Sequence, residues 1–394
     1  MSDLLISINA LDGTTSQWLV PTTVRRLDGD IVKQIVVTTN AGPERVSVGS
    51  GTYLAEAYLP SGELLRGSTT VGDTGETSIR LLLSPSPHEW LQTSARMTST
   101  VRLTSRPAMP AAVDFPPGAR TRAARVPHIF SALRVWLEDP RNVQLRSPIL
   151  PQPLVPSYSD MLVERFDFGP PGAFTGGPVG SGILFISRHF TTWYAVALPF
   201  GWVTIDNLGE AHFEVVINRS TGAITTVVQD QRFGPVLGYL ADGQSALAAR
   251  VLDRQAMELL AEKLMNPFAA AAGGYVLVQR ALAGIETSPQ WRNWIRNLSN
   301  WFPTLPDGWI LRGTLLLNGL LANDAADDSS SAAHECFRRA ITLGVPLFAG
   351  GVRLLLTGMM TLAEDDAAIA WVRRLSLHVE PHQPFTTLRV EEPQ

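Results

Sequence analysis

The chain has 394 residues, 45% of them hydrophobic and 17% charged, with a formal net charge of −4. That length makes roughly two to four domains, each able to bury a core, and that balance excludes a disordered chain, which is too polar to offset its ordering entropy. A single cysteine, Cys336, excludes an intrachain disulfide framework and a multi-cysteine zinc or iron–sulfur site.

The start, MSDLLISINALDG, has no basic segment followed by a clean apolar run, which argues against a secretory signal, so the expected location is cytoplasmic. From Leu4 to about residue 91 the pattern is of short strands. In GTYLAEAYLPSGE the apolar side alternates through Tyr53, Ala55, Ala57 and Leu59 before Pro60, Ser61 and Gly62 turn the chain. Several such strands predict a small β-sandwich over 1–91, closed by SPSPHEWL, whose two prolines end the last strand.

Residues 92–150 are rich in Arg and Pro and read as a linker. Arg120, Arg122 and Arg125 follow Pro116, Pro117 and Gly118 as a short cluster with no interleaved aromatics, which disfavours nucleic acid as a partner. The basic residues are arginines except for Lys33 and Lys263, a bias that codon usage explains as readily as ligand recognition does.

A second strand-rich region covers 151–240. SGILFISRHF, TWYAVALPF, HFEVVINR and AITTVVQD read as strands between Gly, Pro and Asn turns. GPPGAFTGGPVGSG lacks the Lys-Ser/Thr ending of a phosphate loop and reads as surface loop. Arg188, His189 and His212 are the candidates for a central site, since a strand-end histidine beside an arginine can face a cleft. Asp206, Glu210, His212 and Glu214 supply alternating polar groups, of which His212 and Glu214 share a strand face that Glu210 could join; three possible ligands do not define a metal site without geometry, and no metal or cofactor is expected.

After about Pro235 the period becomes helical, and 241–378 reads as an α-helical, repeat-like domain followed by a tail, 379–394. In QSALAARVLDRQAMELLAEKLMN apolar residues recur at Leu247, Val251, Met257, Leu260 and Leu264. NPFAAAAGGYVLVQRAL then predicts a new helix, capped by Asn266 with Pro267 at its first position. It is too short and too interrupted to span a bilayer. Gly273 and Gly274 each cost roughly 1 kcal/mol in a helix interior, which a close packing contact would offset. Helices over SPQWRNWIRNLSNWF, WILRGTLLLNGLLAND, SSAAHECFRRAITLG and GGVRLLLTGMMTLA follow, with PTLPDG read as a turn. AHECFRRAITLG resembles a tetratricopeptide repeat, without the regular 34-residue period of that family.

His334 and Cys336 point in different directions on a helix, so Cys336 reads as a small buried hydrophobe rather than a nucleophile, and no catalytic set is predicted. Trp291, Trp294, Trp301 and Trp309 fall close together and are the candidates for anchoring a protein partner, weighed against packing between helices. The whole is expected to be a multidomain α+β protein: an N-terminal β-sandwich, a central strand-rich region and a C-terminal helical domain.

GTYLAEAYLPSGE with SPSPHEWL, LLAEKLMNPFAAAAGGYVLVQRAL and NWFPTLPDGWILRG together resemble bacterial accessory proteins and domains found beside caspase-like or CHAT-type peptidases in conflict systems. The resemblance implies a non-catalytic adaptor or regulator with such a peptidase as its protein partner. The His/Cys pair of those peptidases has no match here, so their activity is not carried over. Two alternatives stand beside this expectation: a protease-activated effector or substrate cut in the Arg/Pro-rich linker, and a hydrolase with its site in the central β-region.

Overall fold

A computed structural model of the chain describes residues 2–10, 19–27, 30–39, 42–58, 64–83, 122–127, 156, 158–159, 163–168, 182–188, 192–199, 213–218, 224–228, 234–241, 252–285, 289–321, 329–362, 366–380 and 383–391. The turn residues Pro60 to Gly62, Trp90 and the loop 169–181 lie outside them.

The N-terminal strands are β1 (Ser2–Ala10), β2 (Leu19–Arg26), β3 (Ile31–Thr38), β4 (Glu44–Val48), β5 (Gly51–Tyr58), β6 (Leu64–Val71) and β7 (Glu76–Leu83). They make two sheets, ordered β4-β1-β7 and β3-β2-β5-β6. Strand β1 runs parallel to β7, with Ile6 opposite Ile79, and antiparallel to β4. Period-2 alternation turns Leu4, Ile6 and Ile8 from one sheet and Tyr53, Ala55 and Ala57 from the other into one shared core. The predicted inward side of GTYLAEAY is the one observed. Gly67 on β6 lets the two sheets approach, because a Cβ there would meet Ile79 Cγ2 at 2.7 Å and Leu81 Cδ2 at 2.9 Å. On the other face of β5, Glu56 is buried between two arginines of adjacent strands, Arg25 Nε at 3.1 Å and Arg66 Nε at 3.0 Å.

The central strands are β8 (Arg122–Pro127), β9 (Tyr158–Ser159), β10 (Val163–Phe168), β11 (Gly182–Arg188), β12 (Thr192–Leu198), β13 (Phe213–Asn218) and β14 (Ile224–Val228). Strand β8 lies inside the segment read as a linker. Arg125 stands opposite Leu184 and Arg122 opposite Ser187 in an antiparallel pair with β11. The apolar residues of RAARVP are so few and so flanked by arginine and proline that composition hid a strand whose main chain is held by its neighbour.

The helices are α1 (Gly234–Ala241), α2 (Asp253–Ala261), α3 (Pro267–Leu282), α4 (Gln290–Trp301), α5 (Pro306–Leu317), α6 (Ser329–Leu343), α7 (Ala349–Leu362) and α8 (Asp366–His378), followed by β15 (Thr387–Glu391). Helix α3 is the hub. Asn266 Oδ1 accepts from the Ala269 N–H at 2.9 Å, Pro267 sits in the first turn, and every residue from Pro267 to Val278 is buried. A Cβ on Gly273 would meet the Ala256 carbonyl oxygen at 2.5 Å, and one on Gly274 would meet Leu311 Cδ1 at 2.7 Å and Ile295 Cδ1 at 2.9 Å. The double glycine thus brings α3 against the backbone of α2 on one side and seats side chains of α4 and α5 on the other. Among the described residues no helix is long and apolar enough to cross a membrane.

The same device recurs beyond α3. The ring of Phe337 on α6 fills recesses at Gly313 of α5 and Gly358 of α7, where any Cβ would collide with it. The segment read as a C-terminal tail contains β15, which pairs antiparallel with β12, Ala195 opposite Leu388. The sheet orders are β15-β12-β11-β8 and β14-β13-β10-β9. One continuous core runs from Phe166 and Leu184 on the central strands to Leu375 on α8 and Leu388 on β15.

Candidate protein-binding site

The four tryptophans singled out by spacing separate into distinct environments. Trp291 is 0% exposed and belongs to the core, so it presents nothing to a partner. This corrects its candidacy: a helix has one inward stripe, and Trp291 shares it with Ile295 and Leu298. Trp294, half-buried on the same helix, packs against the edge of that core. Trp301, the last residue of α4, is 50% exposed.

A residue that spacing did not single out joins the last two. Helix α2 stops at Ala261, and the turn after it carries Lys263, whose ammonium lies 5.0 Å from the centre of the Trp301 ring and 5.7 Å from that of Trp294. Ring faces carry negative quadrupole density, so both attract the cation. Lys263 is 5% exposed, and burial lowers its pKa. Leu264, predicted to face the helical core, is 70% exposed because the turn swings it out of the α2 stripe, and Met265 beside it is 50% exposed. A signal for Lys263 was present in the sequence: it is one of two lysines in a chain whose other basic residues are arginines.

Trp309 reaches the same corner by another route. Its Nε1–H donates to the Pro303 carbonyl at 3.0 Å, and the Arg312 guanidinium lies 5.7 Å from its ring. Arg312 Nη1 in turn donates to Asn300 Oδ1 at 2.9 Å, next to Trp301. A Cβ on Gly308 would stand 3.2 Å from Ser299 Cα, which shows how closely the start of α5 is laid on the end of α4.

What fixes the start of α5 is Asp307. PTLPDG, read as a turn, is one at Pro303 and Thr304, but its last three residues open the helix: Pro306 stands at the first position, and Asp307 is fully buried just behind it. Tyr275 Oη donates to Asp307 Oδ1 at 2.7 Å, the Leu347 N–H to Oδ2 at 2.8 Å and the Phe348 N–H to Oδ1 at 3.2 Å. Burial pushes this carboxyl up to about 6, against the pull of the donors toward lower values. Proline followed by an acid at a helix N-terminus was the available cue. The same node binds the end of the chain, because Thr386 donates from its N–H to the Leu347 carbonyl at 2.8 Å and from Oγ1 to the Pro346 carbonyl at 2.6 Å. Phe348 stacks on Phe385 at 5.3 Å.

The central candidates are not brought together by anything described. Arg188 ends β11 opposite Thr192, while His189 and His212 lie outside the described residues. Cys336 is buried on α6, and burial pushes its thiol up to about 11, which keeps it protonated near neutral pH. That fits the small buried hydrophobe read from the sequence.

Residues 235–394 match the model of a family described as the Y4kD C-terminal domain. No curated protein matches the chain. The matched span takes in nearly all of α1, the other seven helices above and β15, but none of the strands with which β15 pairs. The family's description does not speak of peptidases.

Proposed function

We propose that the chain is a non-catalytic protein-binding adaptor or regulator, with its working surface at the corner made by the α2–α3 turn, the end of α4 and the start of α5. The observation that carries this reading is Trp301, half exposed over a buried lysine and flanked in the turn by outward-facing Leu264 and Met265. Large aromatic and aliphatic area on a rigid support is what an interface centre requires, since little entropy is lost when such groups are covered. The double-glycine contacts of α3 and the hydrogen bonds to Asp307 hold that support in place.

On this reading the N-terminal sheets form a β-sandwich and the helices a repeat-like layer, both serving as scaffold. A caspase-like or CHAT-type peptidase is the first partner class to examine, on the sequence resemblance alone. Crosslinking mass spectrometry on the tagged chain recovered from its native lysate tests the surface directly. A stoichiometric protein linked to residues 262–265 and 293–301 is expected. Crosslinks confined to the N-terminal sheets, or a chain recovered only as a free monomer, would sink the proposal.

A further inference from the structure

The corner contains a cation that makes no ion pair among the described residues. Lys263 is 5% exposed, yet among the described residues no carboxylate lies within ion-pairing distance of its ammonium, and the ring faces of Trp294 and Trp301 are its contacts. Charged side chains are almost never this buried unless paired, because the lost hydration must be replaced. Two ring quadrupoles replace only part of it, and the residual cost appears as a lowered amine pKa.

The nearest carboxylates in the chain, Glu258 on α2 and Glu262 beside the lysine, make no ion pair with it. Helix α4 carries Arg292 and Arg296 and no acidic residue, and Arg312 stacks on Trp309. Leu264 and Met265, next to Lys263 in the chain, and Trp301 are exposed. A covered cation beside exposed apolar side chains is complementary to a carboxylate carried between apolar side chains.

We infer that Lys263 anchors an acidic segment of the protein partner, one carboxylate of which supplies its counter-ion while apolar neighbours of that carboxylate cover Trp301, Leu264 and Met265. The inference rests on the protein-binding reading above and names the chemistry of the partner. Trp301 covers the ammonium and is itself half exposed, so a side chain that displaces this ring reaches the charge.

Lys33, exposed on β3, is the only other lysine, so reductive ¹³C-methylation of the full chain labels one test position, one internal reference and the N-terminal amine, whose lower pKa, about 8, sets its signal apart. The labelled protein is titrated with a blocked Glu-Leu-Glu-Leu-Glu peptide and with its Gln-Leu-Gln-Leu-Gln counterpart at millimolar concentration. The acidic peptide is expected to shift the Lys263 methyl resonance and raise its titration midpoint, leaving Lys33 in place, while the neutral peptide moves neither. Equal responses to the two peptides, or equal responses of the two lysines, would overturn the inference. A second measurement compares folded K263M with W301A in the crosslinking experiment. At least tenfold lower partner recovery with K263M is expected. Full recovery with K263M but not W301A removes the Lys263 anchor and leaves the protein-binding reading standing; full recovery with both removes that reading.

Discussion

Asp307 makes the stability of the chain depend on pH in a direction opposite to that of an ordinary salt-bridged carboxylate. Its folded midpoint, about 6, lies above the ordinary carboxyl value of 3.8, so between these values the folded chain keeps a proton that the unfolded chain has released. The Asp307 contribution is therefore complete below the unfolded value and is lost as pH rises through about 6, on the order of 3 kcal/mol in all. Urea midpoints of the wild type between pH 4 and 7 should fall along this profile, and those of D307N, which cannot titrate, should lack that component. Parallel profiles would show that the proton is held elsewhere. D307A removes the acceptor of two buried backbone N–H groups and of Tyr275 Oη, and should cost about 2–5 kcal/mol. At Trp301 the expectation is the reverse: half exposed and at a helix end, it should tolerate replacement by alanine with a change in stability of about 1 kcal/mol or less. Of these residues, Trp301 was legible from spacing and composition. Asp307 was not, because PDG is also a common turn, and only the donors that arrive from Tyr275 on α3 and from the Leu347–Phe348 backbone distinguish a buried helix start from an exposed loop.

At the scale of elements, the small residues of α3 work as spacers. G273A places a methyl group 2.5 Å from the Ala256 carbonyl oxygen, and backbone cannot rotate aside as a side chain can. The gain of about 1 kcal/mol in helix propensity should be outweighed by an overpacking cost of about 1–3 kcal/mol, lowering Tm. Gly350, in the first turn of α7, is the internal control, since a Cβ there meets nothing within 4 Å. G350A should raise Tm slightly, by the conformational entropy it removes from the unfolded chain. Thermal melts of the two variants test the spacer account together, and a Tm rise in both would contradict it. The helix and its cap were legible because Asn-Pro followed by alanines is a local signal. Its partners were not, because the Ala256 carbonyl and the Leu311 side chain are brought to it by tertiary packing. Strand β8 escaped notice for the converse reason: its order comes from β11, not from its own arginine-rich sequence.

For the whole molecule, the consequence is that the family-matched region is not closed on itself. Strand β15 ends that region yet is hydrogen-bonded to β12, and Thr386 of the same segment accepts from the Ala197 N–H at 2.9 Å. Removing residues 384–394 should therefore expose an edge of β12, and hydrogen exchange over Thr192–Leu198 should accelerate by orders of magnitude. Unchanged protection of β12 would mean that the central sheet stands without its last strand. The alternation of strands and the later change to a helical period made the α+β order legible in advance. The return of the chain end to the central sheet was not, since a five-residue strand carries no address for its partner. The central claim concerns the outer corner, and it is tested most directly by recovering wild-type and W301A chains side by side from the native lysate and measuring the bound partner per chain. A hot-spot aromatic predicts a loss of at least about 30-fold, equivalent to about 2 kcal/mol, at unchanged thermal stability. Equal recovery of one partner by both chains would contradict the account, because no surface built around Trp301 survives its removal.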